Sequence, residues 1–374
     1  MRIAIAGGGL GGLTLARVLH RHGIDAVVYE RDANRSARPQ GGSLDLHPES
    51  GQRALAEAGL ADGFRSQARP EGEEHRIVDP SGRILVHHEP RPGSFAGRPE
   101  IDRSVLRDLL LDSLPGDTVV WRRRLVAAAP RPGGGWELTF QEGHRGDCDI
   151  LVGADGARSI VRPLLVDVEL SPVSTVVELT VSDVDRRHPG LADLVGPGNL
   201  WAVGVNQILS AQRLGDGALR VGISLRAGDH PIDSLRGKRA LLDIFAGWDP
   251  RLTALIEAAD SPPTPRLIEA TPVGTRWSAR PGVTLVGDAA HLMPPVGEGA
   301  NQAMLDAAEL AVQLAADPAD PDSAIRSYED AMFARIHPIA EMSARVQAMM
   351  LSPTAAQDIV RFFTPRSAEP ASAT

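Results

Sequence analysis

The chain has 374 residues, 43% of them hydrophobic and 23% charged, which suits a globular enzyme of two domains. Its formal net charge of −9 argues against a nucleic-acid or anionic-membrane surface. Cys148 is the only cysteine, so no internal disulfide is expected and a reducing, cytoplasmic setting fits. No apolar run approaches the length of a spanning helix. The entry into a strand by Arg2 gives no expectation of a signal peptide. Lys238 is the only lysine, so nearly all basic charge is arginine.

Residues 2–6 read as a first parallel strand, followed by Gly7-Gly8-Gly9-Leu10-Gly11-Gly12. Gly7, Gly9 and Gly12 match G-x-G-x-x-G. A helix through Leu13, Ala16, Val18 and Leu19 follows, then a second strand, residues 26–29, ending in Glu30. This is the strand–turn–helix–strand–acid unit of a dinucleotide site. Gly7 allows the turn, Gly9 lets backbone approach a pyrophosphate, and Gly12 lets the helix pack on the sheet. Glu30 would accept the adenosine ribose hydroxyls, and its charge favours FAD or NAD over NADP as the nucleotide held here. Arg31 either contacts the adenine or pyrophosphate side or is simply solvated.

Gln40-Gly41-Gly42-Ser43-Leu44-Asp45-Leu46-His47 suggests backbone running close to a flat ligand. Asp45 could bond a flavin edge or cap the helix that follows. Residues 75–88 read as a hairpin with an Asp79-Pro80-Ser81-Gly82 turn, and His87 and His88 at its end lack metal-ligand spacing. Residues 91–97 form a Pro/Gly-rich link. A helix starts at Asp102, its N-cap, with Val105, Leu106, Leu109 and Leu110 as the apolar face. Arg103 sits in its first turn, where the helix dipole disfavours a cation; it either holds a phosphate or ribitol, or is an exposed arginine.

Short strands over residues 118–141 surround a triple-glycine turn. The run 149–152 then reaches Gly153-Ala154-Asp155-Gly156-Ala157-Arg158. Asp155 could serve nucleotide recognition or only the turn, and Arg158 could support the same turn. From about residue 170 the strand-like runs 176–184, 200–205, 208–213 and 219–226 follow without helices, which predicts an antiparallel layer apart from the parallel one. Helices are expected over 239–246 and 252–258.

Residues 284–301 join a buried strand, Gly287-Asp288, the Pro294-Pro295 loop and a new helix from near Gly299. The Asp288 carboxylate can accept from sugar-like hydroxyls, and free N–H groups at a helix start can face a polarised oxygen. FAD carries both partners, a ribitol and a pyrimidine carbonyl. A long helix is expected from Pro321 through Met349, kinked at Pro338, then a Ser/Ala/Pro tail disordered from about Arg366.

Tyr29-Glu30-Arg31-Asp32, the 41–47 run, Glu100-Ile101-Asp102-Arg103 with Leu106-Arg107, and residues 287–295 carry a resemblance over nearly the whole chain. The chain resembles the class A FAD-dependent aromatic monooxygenases, the p-hydroxybenzoate hydroxylase-like group, and within it the tetracycline-inactivating monooxygenases. The resemblance implies an α/β fold: a Rossmann-like, GR2-type FAD-binding domain (1–72, 98–168, 270–320) interrupted by an antiparallel-sheet substrate domain (73–97, 169–269). A bridging helix (321–350) and a tail (351–374) complete it. It implies that Gly7, Gly9, Gly12 and Glu30 hold the ADP half, Arg103 the FAD chain, Asp45 the isoalloxazine edge and Asp288 the ribitol. Backbone N–H groups of Gly299, Ala300 and Asn301 would face the pyrimidine edge. Pro294 and Pro295 would wall the substrate side.

The same resemblance implies that NADPH or NADH reduces FAD transiently and that O2 forms a flavin C4a-hydroperoxide, which hydroxylates a polycyclic phenolic ring. A tetracycline-like antibiotic or a polyketide intermediate is the expected substrate class, and a monomer or weak dimer the expected state. Arg220 falls where tetracycline-acting relatives carry a histidine, and the Thr180 and Asn199 regions lack their ring-contacting pair. Arg220 and Thr180 are therefore the substrate-choosing candidates. An FAD reductase without oxygen insertion and an FAD-retaining drug-binding protein are the rival readings. The Trp-x-Trp-x-Ile-Pro motif of flavin halogenases is absent around all five tryptophans.

Overall fold

Ile3–Ala6 is buried at every position because it lies at the centre of a five-stranded parallel sheet. The strand order is Val283–Leu285, Ile150–Gly153, Ile3–Ala6, Ala26–Tyr29 and Val119–Val120. Strands covered on both faces need no polar alternation, which explains the unbroken apolar runs. The computed structural model describes residues 1–90 and 97–363, and these divide into two units.

The first unit takes residues 1–73, 97–173 and 268–344 of the described chain. Its core joins the parallel sheet to the Leu10–Arg21 helix, the Gly299–Ala316 helix and the first part of the Pro321–Met350 helix. Gly11 lets the first two of these helices approach closely: a Cβ there would lie 3.1 Å from the Ala303 carbonyl oxygen. The Arg103–Asp112 helix begins after Asp102, as the sequence predicts, but the Asp102 carboxylate makes no capping bond. It accepts instead from Arg69 Nη2 at 2.7 Å. The strand Ser43–Asp45 pairs antiparallel with Glu100–Asp102. A three-stranded antiparallel sheet (Leu125–Pro130, Trp136–Phe140, Arg145–Cys148) also belongs to this unit.

The second unit takes residues 74–90, 174–267 and 345–363 of the described chain. Its strands form most of a seven-stranded sheet in which Ser171–Val181, Leu219–Arg226, Gln207–Arg213 and Asn199–Gly204 are successive antiparallel neighbours. The hairpin His75–Val78/Ile84–His88 joins them through a parallel pairing of His75–Val78 with Asn199–Gly204. Val177, Leu179 and Val181 alternate inward, against Leu241, Phe245, Leu252 and Leu255 of the helices that cover that face. Glu178 and Thr180 point to the other face. His87 and His88 are exposed, and His87 Nε2 lies 2.9 Å from Glu74.

Pro338 lies inside an unbroken 30-residue helix. Ala355–Phe363 forms a further amphipathic helix that the reading of residues 351–374 as a tail did not contain. It exists because Ala355 and Ile359 bury themselves against Ile77, Val203 and Ile208 of the second unit. The expected disorder from Arg366 and most of the 91–97 link lie outside the described residues.

Candidate active site

Three adjacent strands of the parallel sheet each end in a glycine-containing turn within the first unit. Gly7 follows the first with φ of +109°, a conformation that costs a side chain dearly. A Cβ at Gly7 would also collide with the Ala154 carbonyl, and one at Gly12 with the Gly7 carbonyl. At Gly9 a Cβ would meet nothing within 4 Å. Gly7 and Gly12 are therefore glycine for internal packing, while Gly9 leaves open room at the start of the Leu10–Arg21 helix. That helix has no side-chain N-cap, so its first N–H groups remain available to an anion.

Glu30, 5% exposed, organises the first turn. One carboxylate oxygen accepts the Gly8 N–H at 2.7 Å and the other the Asp32 N–H at 2.9 Å. Arg31 beside it is exposed. Arg107, which sequence reasoning placed only among motif residues, sits behind the same turn. Its Nε donates to the Gly8 carbonyl at 3.2 Å and Nη1 to the Arg35 carbonyl at 2.9 Å. Burial lowers its pKa, opposed by the Glu30 and Asp32 charges. Its Nη2 is buried with no partner among the described residues. The available signal was an arginine one turn after Arg103 on the apolar side of an amphipathic helix.

Asp155 supports its own turn: Oδ2 accepts the Ile160 N–H at 2.7 Å. Burial raises its pKa, against the hydrogen bonds that favour its charge. Oδ1 is buried and unpartnered among the described residues. Arg158 is exposed, 3.6 Å from Glu269. Arg162, absent from the sequence candidates, joins the second turn to the third. It donates to the carbonyls of Ala157 at 2.9 Å, Asp288 at 2.7 Å and Ala289 at 2.7 Å. A lone arginine before Pro163 gave no periodic or spacing signal for that role.

Gly287 (φ +61°) and Asp288 open the third turn. The Gly287 N–H donates to Asp306 Oδ2 at 2.8 Å, and His291 Nε2 lies 2.6 Å from the same oxygen. Arg335 holds the other oxygen at 2.9 Å. The Asp288 side chain is exposed, near the start of the Gly299–Ala316 helix: a Cβ on Gly299 would lie 3.7 Å from its Oδ1. This brings Asp288 and Gly299 together.

Asn301 contributes its side chain as well as its place in the first helical turn. Oδ1 accepts from His47 N and Gly51 N, and Nδ2 donates to the carbonyls of Asp45 and Gly297. Asp45 lies beside Gly297, with Oδ2 3.0 Å from His47 Nε2. Arg103 is exposed; its N–H donates to the Gly42 carbonyl, and its Cδ passes the Gly41 backbone. Pro294 is buried, Pro295 exposed and Ala300 intermediate.

In the second unit, Arg220 and Thr180 are direct cross-strand partners. Arg220 and Arg266 both hydrogen-bond Glu178 Oε1. Two guanidinium groups on one carboxylate leave the cluster net positive, on the sheet face opposite the helix-covered one.

The residues fit FAD on structural grounds. Open room at Gly9, an uncapped helix start, the buried unpartnered Arg107 Nη2 and Asp155 Oδ1, and an exposed Asp288 beside a second helix start are complementary to a diphosphate, ribose and ribitol. Among the described residues there is no cluster of metal-ligating side chains, and no helix is long and apolar enough to cross a membrane.

Comparisons with known proteins agree with this geometry. The model of the family described as "FAD binding domain" matches residues 1–208 and 263–341. The chain is 32% identical to 3-amino-4-hydroxybenzoate 2-monooxygenase PtnB3 of Streptomyces platensis, over 91% of this chain and 86% of the relative. Its fold is similar to Klebsiella pneumoniae HpxO, solved with FAD and uric acid, with a TM-score of 0.81, 23% identity and coverage of 97% and 92%. It is also similar to the tetracycline destructase Tet(51), with a TM-score of 0.71, 20% identity and coverage of 96% and 95%. The chain belongs to the FAD binding domain family and is an FAD-dependent monooxygenase.

Proposed function

We propose that the protein hydroxylates a phenolic ring of a multi-ring compound, such as a tetracycline-like antibiotic or an aromatic polyketide, using NADPH or NADH as transient reductant. The observation that carries the substrate class is the Glu178–Arg220–Arg266 cluster. Its surplus positive charge, beside the Thr180 hydroxyl position, suits a phenolate or enolate oxygen. The likeness to PtnB3, a 3-amino-4-hydroxybenzoate 2-monooxygenase, and the fold likeness to Tet(51) support an aromatic, oxygen-bearing ring.

FAD, when bound, supplies the activation of O2. The chain's own residues do the rest. Gly7, Gly9, Gly12, Glu30 and Arg103 would hold the ADP half and chain. Asp155 acts on the second turn. Asp288 would orient ribitol, and the N–H groups of Gly299, Ala300 and Asn301 would polarise the pyrimidine edge. Asp45, braced by His47, would border the ring system, with Pro294 and Pro295 shielding the reacting face from water. Arg220 and Thr180 would place the substrate.

The test is the visible spectrum of the purified protein, then NADPH oxidation with and without a tetracycline, with the product weighed. A flavin spectrum, stimulated oxidation and a product heavier by one oxygen are expected. A product changed only in hydrogens would replace this reading with a reductase. No stimulation would remove the tetracycline from the proposal, and Arg220→Ala would then be screened against other phenolic polyketides.

A further inference from the structure

The first unit holds a concavity that the flavin reading does not use. Its volume is about 340 Å³. It lies between residues 271–276, the end of the Asp288–His291 turn and the middle of the Pro321–Met350 helix. No residue assigned above to FAD or substrate lines it.

Its wall is apolar on one side, with Met293, Met332, Phe333 and Ile336. Its polar lining is Arg276, His291, His337 and the hydroxyls of Thr271 and Thr275, which donate to the Leu292 and Pro272 carbonyls. Arg276 lies over Phe333, with Cζ 5.1 Å from the ring centroid, and makes no hydrogen bond or ion pair among the described residues. His337 lines the same space, with Glu341 3.5 Å from its Nε2 but outside the lining. His291 is 6% exposed; its Nε2 meets Asp306, and its Nδ1 has no partner among the described residues. Among the described residues, no aspartate or glutamate lines the cavity. Pro338 has no N–H to offer the carbonyl four residues back, and that residue, Ala334, also lines the space.

We propose that this cavity is a second ligand site, for a small aromatic carboxylate. The free guanidinium fork of Arg276 matches a carboxylate in its plane. Phe333, Met332 and Ile336 offer a surface for the ring, and methionine sulfur favours aromatic contact. The unpartnered His291 Nδ1 and the Ala334 carbonyl suit a hydroxyl on that ring. An apolar neutral ligand would leave these groups unpaired, and a cation would face Arg276 without a counter-charge. The site stands on its own residues and does not depend on which substrate the flavin serves.

Trp277 reports on it directly, because its ring packs edge-on against Phe333 with centroids 4.7 Å apart. The protein as purified, flavin included, is titrated with benzoate while tryptophan fluorescence and heat are followed. Saturable binding is expected by both signals, with no saturable binding of benzyl alcohol. Trp277→Phe should remove most of the fluorescence change yet keep the heat signal. Arg276→Gln should weaken benzoate at least tenfold with the flavin spectrum and thermal midpoint unchanged. Absence of saturable benzoate binding to the unsubstituted protein would overturn the proposal. So would benzoate affinity equal in Arg276→Gln, which would place the ligand in the flavin cleft instead. Neither outcome bears on whether the protein hydroxylates a phenol.

Discussion

Asn301 Oδ1 accepts the backbone N–H of His47 at 2.9 Å across a sequence separation of 254 residues. One amide thereby fixes the segment that carries Asp45 to the start of the Gly299–Ala316 helix. His47, 2% exposed, lies between two carboxylates, with Asp45 Oδ2 3.0 Å from Nε2 and Glu298 Oε1 3.6 Å from Nδ1. The loop that would border the isoalloxazine is therefore set by side-chain bonds from both ends.

Asn301→Ala should destabilise the protein and loosen the flavin together. It strips partners from the N–H groups of His47 and Gly51 and the carbonyls of Asp45 and Gly297. Each buried group left unpaired costs about 1–3 kcal/mol, and partial relaxation brings the expected loss to about 3 kcal/mol. Urea unfolding measures the first effect and flavin retention on dilution the second. A midpoint shift with unaltered flavin retention would separate Asn301 from the site.

Glu30→Gln keeps the size of the side chain and removes its charge. One oxygen facing a backbone N–H, at Gly8 or Asp32, becomes an amide donor facing a donor. On the proposed role of Glu30, the adenosine side would also lose its anionic acceptor. The FAD dissociation constant should rise at least tenfold while far-ultraviolet circular dichroism stays the same. Unchanged FAD affinity in calorimetry would remove Glu30 from the site.

The glycine motif, Glu30, Asp155 and Asp288 were legible because each follows a short apolar strand, and strand-end chemistry has a fixed place in a parallel sheet. Arg162 and Arg107 were not, because their partners are backbone carbonyls of distant turns, and no spacing rule encodes a carbonyl. Asp306 was hidden for a related reason. It sits mid-helix among Met304, Leu305, Ala307 and Ala308, where an acid ordinarily marks the solvent face. The parallel joint between His75–Val78 and Asn199–Gly204 pairs strands more than 100 residues apart, beyond any local turn signal.

Cys148 should be inert in the folded protein. It is 1% exposed, and burial, aided by Asp149, pushes its thiol up to about 12. At pH 8 roughly one molecule in ten thousand would carry the thiolate, the form that attacks disulfide reagents. Ellman's reagent should find no thiol in native protein and one per chain in denaturant. Rapid native labelling would contradict the burial.

Asp306 makes a prediction about pH. It is fully buried. Burial alone would raise its pKa, but His291, Arg335 and the Gly287 N–H outweigh it, and the carboxyl lies below its ordinary value. The folded protein then holds this carboxylate ionised more firmly than the unfolded chain does, where the value is about 3.9. The stabilisation is fully present above that unfolded value and is lost as pH falls through the lower folded one. Asp306→Asn removes the charge that Arg335 and the Gly287 turn both use, at a cost of about 3 kcal/mol near neutral pH, the range for breaking one partner of a buried pair. The gap in urea midpoint between the two proteins should be constant from pH 7 to about 5 and narrow below about 4. A gap that held its size down to pH 3 would mean that the Asp306 charge contributes nothing and that shape alone holds the turn before Asp288.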